Sequence, residues 1–160
     1  KRLQELCQRY SDLVFKRVVA CDFVPGALEF LKRYHGRLLL FVISATPQEE
    51  INQIVQARGL QRYFARILGS PLSKRHWTRS ILREYDLAPE DVFWVGDALN
   101  DLAAARESHI RFIGRVAKPD TIFQGQDIDY TIHDLYGLDQ ILTSQDPVAL
   151  SYFASHKKSK

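Results

Sequence analysis

Uninterrupted apolar runs of strand length alternate along this chain with stretches of helical period, and only short loops separate them. Residues 38–43 (LLLFVI) and 92–95 (VFWV) show no apolar–polar alternation, so strands there are buried on both faces, as in a parallel sheet. Thr46, Pro47 and Glu49 read as a helix start, with Thr46 as N-cap, Pro47 at N1 and Glu49 closing a capping box; the helix runs to about Arg58, before Gly59. The pattern then predicts a strand at 66–68, a helix over 73–85, the strand at 92–95, a helix over 99–108, strands at 110–113 and 129–132, and a helix over 135–142. Strands joined through helices by short loops run parallel with right-handed crossovers. The expected fold is therefore α/β, a Rossmann-like doubly wound parallel sheet with helices on both faces.

Two helices precede the first strand. Leu3, Leu6, Cys7, Tyr10, Leu13, Val14 and Val18 recur at spacings of three and four, an amphipathic helix from about residue 2 to about 19 whose apolar stripe needs a partner. Pro25 opens a second helix through Ala27, Leu28, Phe30 and Leu31, which stops near Gly36.

At 160 residues and 46% apolar content, one compact domain with a real core is expected. No run approaches the ~18 apolar residues of a membrane-spanning helix and no leader opens the chain, so no membrane partner is expected. Cys7 and Cys21 lack CxxC spacing and read as reduced thiols, which suits a cytoplasmic protein. Lysine plus arginine exceed aspartate plus glutamate by 22 to 19, but Lys157, Lys158 and Lys160 sit in the last four positions. The body is balanced, so nucleic acid is not an expected partner. The chain begins with Lys1 and contains no methionine, from which further sequence ahead of Lys1 is expected.

In open parallel sheets, ligands bind beyond the carboxyl ends of the strands. Ser44 follows the strand at 38–43, Lys74 follows the strand at 66–68, and Gly96 and Asp97 follow the strand at 92–95. Asp101 comes one helical turn after Asp97, on the same side of its helix. A hydroxyl, an ammonium and carboxylates at one edge suit a phosphate: the hydroxyl and helix-start N–H groups bind phosphoryl oxygens, lysine neutralises them, and a carboxylate holds Mg²⁺. Gly96 is expected to permit the tight turn. Arg75 is the fallback cation and Asn100 a helper beside the carboxylates. Trp77 and Trp94 are expected in the core, and His35, His76, His109, His133 and His156 form no ligand spacing.

These residues resemble the later motifs of the haloacid dehalogenase superfamily, with a phosphoglycolate-phosphatase-like pattern. LLLFVIS ends at Ser44 as its second motif does, GSPLSK puts Lys74 at its third, and VFWVGDALND supplies Asp97 and Asp101 as its fourth. The segments VPGALEFLKRYHG and HIRFIGRV are also similar, so the resemblance covers about residues 22–140. It implies a Mg²⁺-dependent phosphatase acting on a small phosphorylated metabolite through an aspartyl-phosphate. Ser44, Ala45 and Lys74 would bind the phosphoryl group, Asp97 and Asp101 would hold the metal or orient Lys74, and residues 1–21 would end a helical cap. Residues 22–145 would be the core and 146–160 a basic tail.

The family's first motif, DxDxT, carries the nucleophile, and residues 1–37 lack it. The literal copy Asp127-Ile128-Asp129-Tyr130-Thr131 follows no buried strand and is rejected. In the family the missing strand lies between those at 38–43 and 92–95. Without it two rows of backbone groups go unpaired, at about 1–3 kcal/mol per buried group. The chain is therefore expected to be the C-terminal part of such an enzyme, inactive alone; the alternative is a non-catalytic binding or scaffold domain of the same fold.

Overall fold

The computed structural model describes residues 2–117 and 122–144. The expected tail at 146–160, with His156, lies outside the described residues, as does the side chain of Cys7. The elements run α1 (Arg2–Ala20), α2 (Ala27–Tyr34), β1 (Phe41–Pro47), α3 (Gln48–Ala57), β2 (Arg66–Ser70), α4 (Lys74–Glu84), β3 (Phe93–Gly96), α5 (Leu99–Glu107), β4 (Arg111–Arg115), β5 (Tyr130–Ile132) and α6 (Leu135–Thr143). Every strand pairing among the described residues is parallel.

The sheet is in two halves. β1 pairs with β2, and β3, β4 and β5 form a separate ladder in that order. β1 and β3 share no ladder, and between them lies a cavity of about 560 Å³ whose walls include Leu38, Leu40, Ile43, Val92, Trp94 and Val95. The expected strand at 38–43 is displaced accordingly: Leu38 and Leu39 belong to no strand, and the ladder with β2 begins at Phe41. Leu39 on one side and Val95 on the other keep 42% and 39% exposure, which is unusual for apolar residues in the middle of an α/β fold.

Two cores cover the two faces. Trp94, Leu102, Ala105, Ile110, Phe112 and Phe123 pack beneath α4 and α5, with Phe112 and Phe123 edge to face at 5.4 Å. Phe30, Tyr34, Ile113, Ile132, Leu138 and Leu142 pack beneath α2 and α6. Tyr34 and Arg33 both bond Asp139 at 2.8 Å and lock those two helices together. α4 packs on both α5 and β1, and so spans the two half-sheets.

The start of α3 departs from expectation. The helix begins at Gln48, its N-cap is Pro47 with no side-chain cap bond, and Thr46 belongs to β1. Three residues of β1, 44–46, stand opposite the single residue Gly69 of β2, so the strand bulges at its carboxyl end. Gly69 makes this fit: a Cβ there would come within 2.6 Å of the Thr46 carbonyl oxygen and 2.7 Å of the Gln48 Cα. Gln48 replaces the lost ladder bonds, its Oε1 accepting from the Gly69 N–H at 2.7 Å and its Nε2 donating to the Ile67 carbonyl at 2.9 Å.

α1 lies against α3. Arg58 donates from Nη1 to the carbonyls of Val18, Val19 and Cys21 at 2.7–2.9 Å, which satisfies the carbonyls at the end of α1, and its guanidinium stacks over Phe23 at 4.0 Å. Leu3, Leu6 and Leu13 of α1 remain exposed. No helix among the described residues is long and apolar enough to cross a membrane.

Candidate functional site

Lys74 is set by a cap. The Ser73 Oγ accepts from the His76 N–H at 3.1 Å, which starts α4 just beyond β2, and the Thr78 hydroxyl donates to the Lys74 carbonyl at 2.7 Å. On the other half-sheet, β3 ends at Gly96 and α5 begins at Leu99. Asp101, in the first turn of α5, reaches back so that its Oδ2 accepts from the Ala98 N–H at 3.2 Å while its Oδ1 receives Lys74 Nζ at 2.5 Å. The pair is largely shielded, with 18% of the Lys74 side chain and 6% of the Asp101 side chain exposed. It joins an element following β2 to one following β3, and so ties the half-sheets together at their carboxyl edge.

Gly96 is required for a different reason from the expected turn. Its φ is not in the left-handed region, but an added Cβ would stand 2.4 Å from the Asp101 Cβ and 2.6 Å from its carboxyl carbon. Asp101 can lie across the end of β3 only because nothing projects from Gly96.

Asp97 is exposed and makes no hydrogen bond or ion pair with a described residue. Asp97 lines the same cavity as Lys74 and Asp101. No group of three or more His, Cys, Asp or Glu that could hold a metal unaided occurs among the described residues. One free carboxylate nonetheless fits Mg²⁺, which takes one or two protein carboxylates and completes its octahedron with water and phosphate oxygens. Asp101 suits that role less well, because both of its oxygens are engaged by protein donors.

Ser44 lies at the carboxyl end of β1, directly after the cavity-lining Ile43. Its Oγ accepts from the Thr46 N–H at 3.1 Å and bonds Thr46 Oγ1 at 3.0 Å, so the hydroxyl shapes the bulge and stands off the cavity wall. Ala45 is exposed at the crest of the bulge, and Asn100 is exposed in the first turn of α5. Arg75 pairs with Glu107 at 2.6 Å and is committed to the α4–α5 surface. Trp94 is buried; Trp77 is half-buried and donates its indole N–H to the Gly69 carbonyl at 2.8 Å, bracing the bulge from below. Asp129 accepts from the Phe112 N–H at 2.7 Å at the start of β4, so the DxDxT copy is occupied in holding an edge strand.

Sequence reasoning missed Arg115, which also lines the cavity. An isolated arginine at a strand end carries no motif. Only the register, with Gly96 opposite Gly114, puts it level with Asp97.

Residues 1–115 match the family model of the haloacid dehalogenase-like hydrolases. The chain is 30% identical over 105 residues to the phosphoglycolate phosphatase of Synechococcus elongatus, covering 64% of this chain and 50% of that protein. It is 28% identical over 116 residues to the phosphoglycolate phosphatase of Pasteurella multocida, covering 62% and 51%. The chain thus spans about half the length of the curated relatives it matches. Among solved structures, a predicted phosphoglycolate phosphatase from Haemophilus somnus superimposes with a TM-score of 0.71 at 20% identity, covering 81% of this chain and 62% of that one, a likeness of fold.

Proposed function

The chain belongs to the haloacid dehalogenase-like hydrolases, and from that premise we propose that it forms the metal- and phosphate-binding half of a Mg²⁺-dependent phosphatase for a small phosphorylated metabolite. The observation that carries this reading is the meeting of Lys74, Asp97 and Asp101 on the wall of a cavity between two parallel half-sheets. Edge backbone on β1 and β3 and the apolar residues facing the gap suit one more parallel strand. A strand entering there, from sequence outside residues 1–160, would deliver an aspartate to the carboxyl edge beside Lys74 and Asp97.

In this reading that aspartate attacks phosphorus, the bond from phosphorus to the ester oxygen breaks and the departing alkoxide takes a proton from solvent, and water then hydrolyses the aspartyl-phosphate to free phosphate and the regenerated aspartate. Lys74, held in place by Asp101, neutralises the phosphoryl oxygens, and the backbone N–H of Ala45 at the crest of the bulge donates to them. Asp97 holds Mg²⁺, which when bound supplies positive charge to the transferring group. Asp101 is a positioning residue for Lys74. Residues 1–21 end a helical cap, and the Arg58 clasp fixes where that cap leaves the core. The curated relatives' name favours a small phosphate monoester as substrate. Without the inserted strand, residues 1–160 are inactive.

The test is phosphatase activity of the protein expressed from its complete coding sequence. Activity is expected to need Mg²⁺, to vanish with chelator, and to fall at least about a hundredfold in Asp97→Asn, the scale on which positioned electrostatic groups act. Turnover at the parental rate in that variant refutes the assignment of Asp97.

A further inference from the structure

We propose that Gln48 is a positioning residue for phosphoryl transfer: its side-chain amide, gripping β2, sets the height at which the crest of the β1 bulge presents the Ala45 N–H. The inference rests on the phosphatase reading and adds to that site a residue that touches neither phosphate nor metal. Residues 44–46 fall between the register pairs Ile43–Leu68 and Pro47–Ser70 and have no pair of their own. A segment released from its ladder lacks the evenly spaced bonds that fix a parallel strand. The two bonds between the Ser44 hydroxyl and Thr46, at 3.0 and 3.1 Å, are internal to the bulge. They give it shape and no anchorage.

Anchorage comes from Gln48, the first residue of α3, whose side chain crosses to β2. Its Oε1 accepts from the Gly69 N–H at 2.7 Å, and its Nε2 donates to the Ile67 carbonyl at 2.9 Å and to Asn52 Oδ1 at 3.1 Å. The acceptor end meets a donor and the donor end meets two acceptors, so both amide hydrogens are spent and the group has one orientation. Gly69 is held in turn by the Trp77 indole N–H, which donates to its carbonyl at 2.8 Å. It also lies hard against the bulge, since a Cβ there would come within 2.6 Å of the Thr46 carbonyl oxygen and 2.7 Å of the Gln48 Cα. A shift of Gln48 is therefore a shift of the bulge. β2 leads into Lys74 at the start of α4, so the amide refers the Ala45 N–H to the same strand from which the lysine is placed. A donor to a transferring phosphoryl group must stand where charge develops, and a misplacement of about 1 Å costs on the order of a hundredfold.

The test compares two oxyanions by calorimetry, with Mg²⁺, on the protein from its complete coding sequence. Inorganic phosphate stays tetrahedral, whereas orthovanadate accepts a fifth ligand as a transferring phosphoryl group does. The parent is expected to bind orthovanadate more tightly, as transition-state mimics are bound. Gln48→Met keeps the length and helix propensity of the side chain and removes the amide. It is expected to lose about ten- to a hundredfold in orthovanadate affinity while phosphate affinity moves less than about threefold, because only the mimic needs the donor in its exact place. A loss shared equally by both oxyanions means general damage to the site and overturns the proposal, as does an orthovanadate affinity equal to the parent's or a parent that does not prefer orthovanadate. If Gln48→Met fails to fold, Asn52→Ala decides: it frees one amide hydrogen, and a loss of about two- to fivefold for orthovanadate alone is expected. No loss there overturns the proposal. A parent that binds neither oxyanion refutes the phosphatase reading itself, and the role of Gln48 with it.

Discussion

The Lys74–Asp101 pair can be weighed by a double-mutant cycle. With Nζ and Oδ1 at 2.5 Å and exposures of 18% and 6%, water screens the pair weakly. At an effective dielectric constant near 20 the Coulomb attraction is roughly 7 kcal/mol, and desolvation of both ions offsets much of it. Lys74→Met leaves the Asp101 carboxylate buried with only the Ala98 N–H, and is expected to cost about 3–5 kcal/mol. Asp101→Asn keeps an acceptor for Ala98 and leaves a lysine that can reach water, so about 1–3 kcal/mol is expected. The double variant should be more stable than the sum of the single losses implies, with a coupling of about 2 kcal/mol. Urea unfolding at neutral pH, followed through the midpoint with a constant slope, reads all four corners. A coupling below ~0.5 kcal/mol refutes the claim that this pair joins the half-sheets, and equal losses from both single variants refute the assignment of the buried charge to Asp101.

Gly96→Ala places a methyl 2.4 Å from the Asp101 Cβ, which must move the carboxylate off Lys74; a stability loss of about 1–3 kcal/mol is expected, together with loss of turnover, read by thermal melting and phosphatase assay. Tyr34 gives a pH signature: burial, and then its bond to Asp139, push the phenol up from 10.0 to about 12. The folded state thus holds the proton more tightly, so this contribution is complete below pH 10 and disappears as pH rises through 12, about 2–3 kcal/mol in all. Tyr34→Phe should flatten the stability profile in that window, measured by denaturant titration, and an unchanged slope would contradict the cause.

Much of this was readable from the apolar runs. The runs at 38–43 and 92–95 each contain a strand because continuous hydrophobicity marks one covered on two faces, although β1 runs on past Ile43 to Pro47 and β3 past Val95 to Gly96. Leu38 and Leu39 did not follow, since a ladder needs a partner and the side facing β3 has none. Thr46 looked like an N-cap by local chemistry, yet its hydroxyl serves Ser44, because the bulge depends on Gly69, more than twenty residues away. The spacing of Asp97 and Asp101 marked the site but could not divide the labour. Only Lys74, arriving from a different crossover, shows which carboxylate is engaged and which is free. Arg115 was invisible for the same reason: its meaning comes from the strand beside it.

The open seam between β1 and β3 has a kinetic and cellular corollary. If the segment that seals it also bears the attacking group, sheet completion and chemical competence become a single event, and no well-folded yet idle enzyme can accumulate. Assembly could then be timed by the appearance of product, and damage to the hydrophobic lining of Leu39 or Val95 would register first as slow activation during refolding, ahead of any change in the finished catalyst.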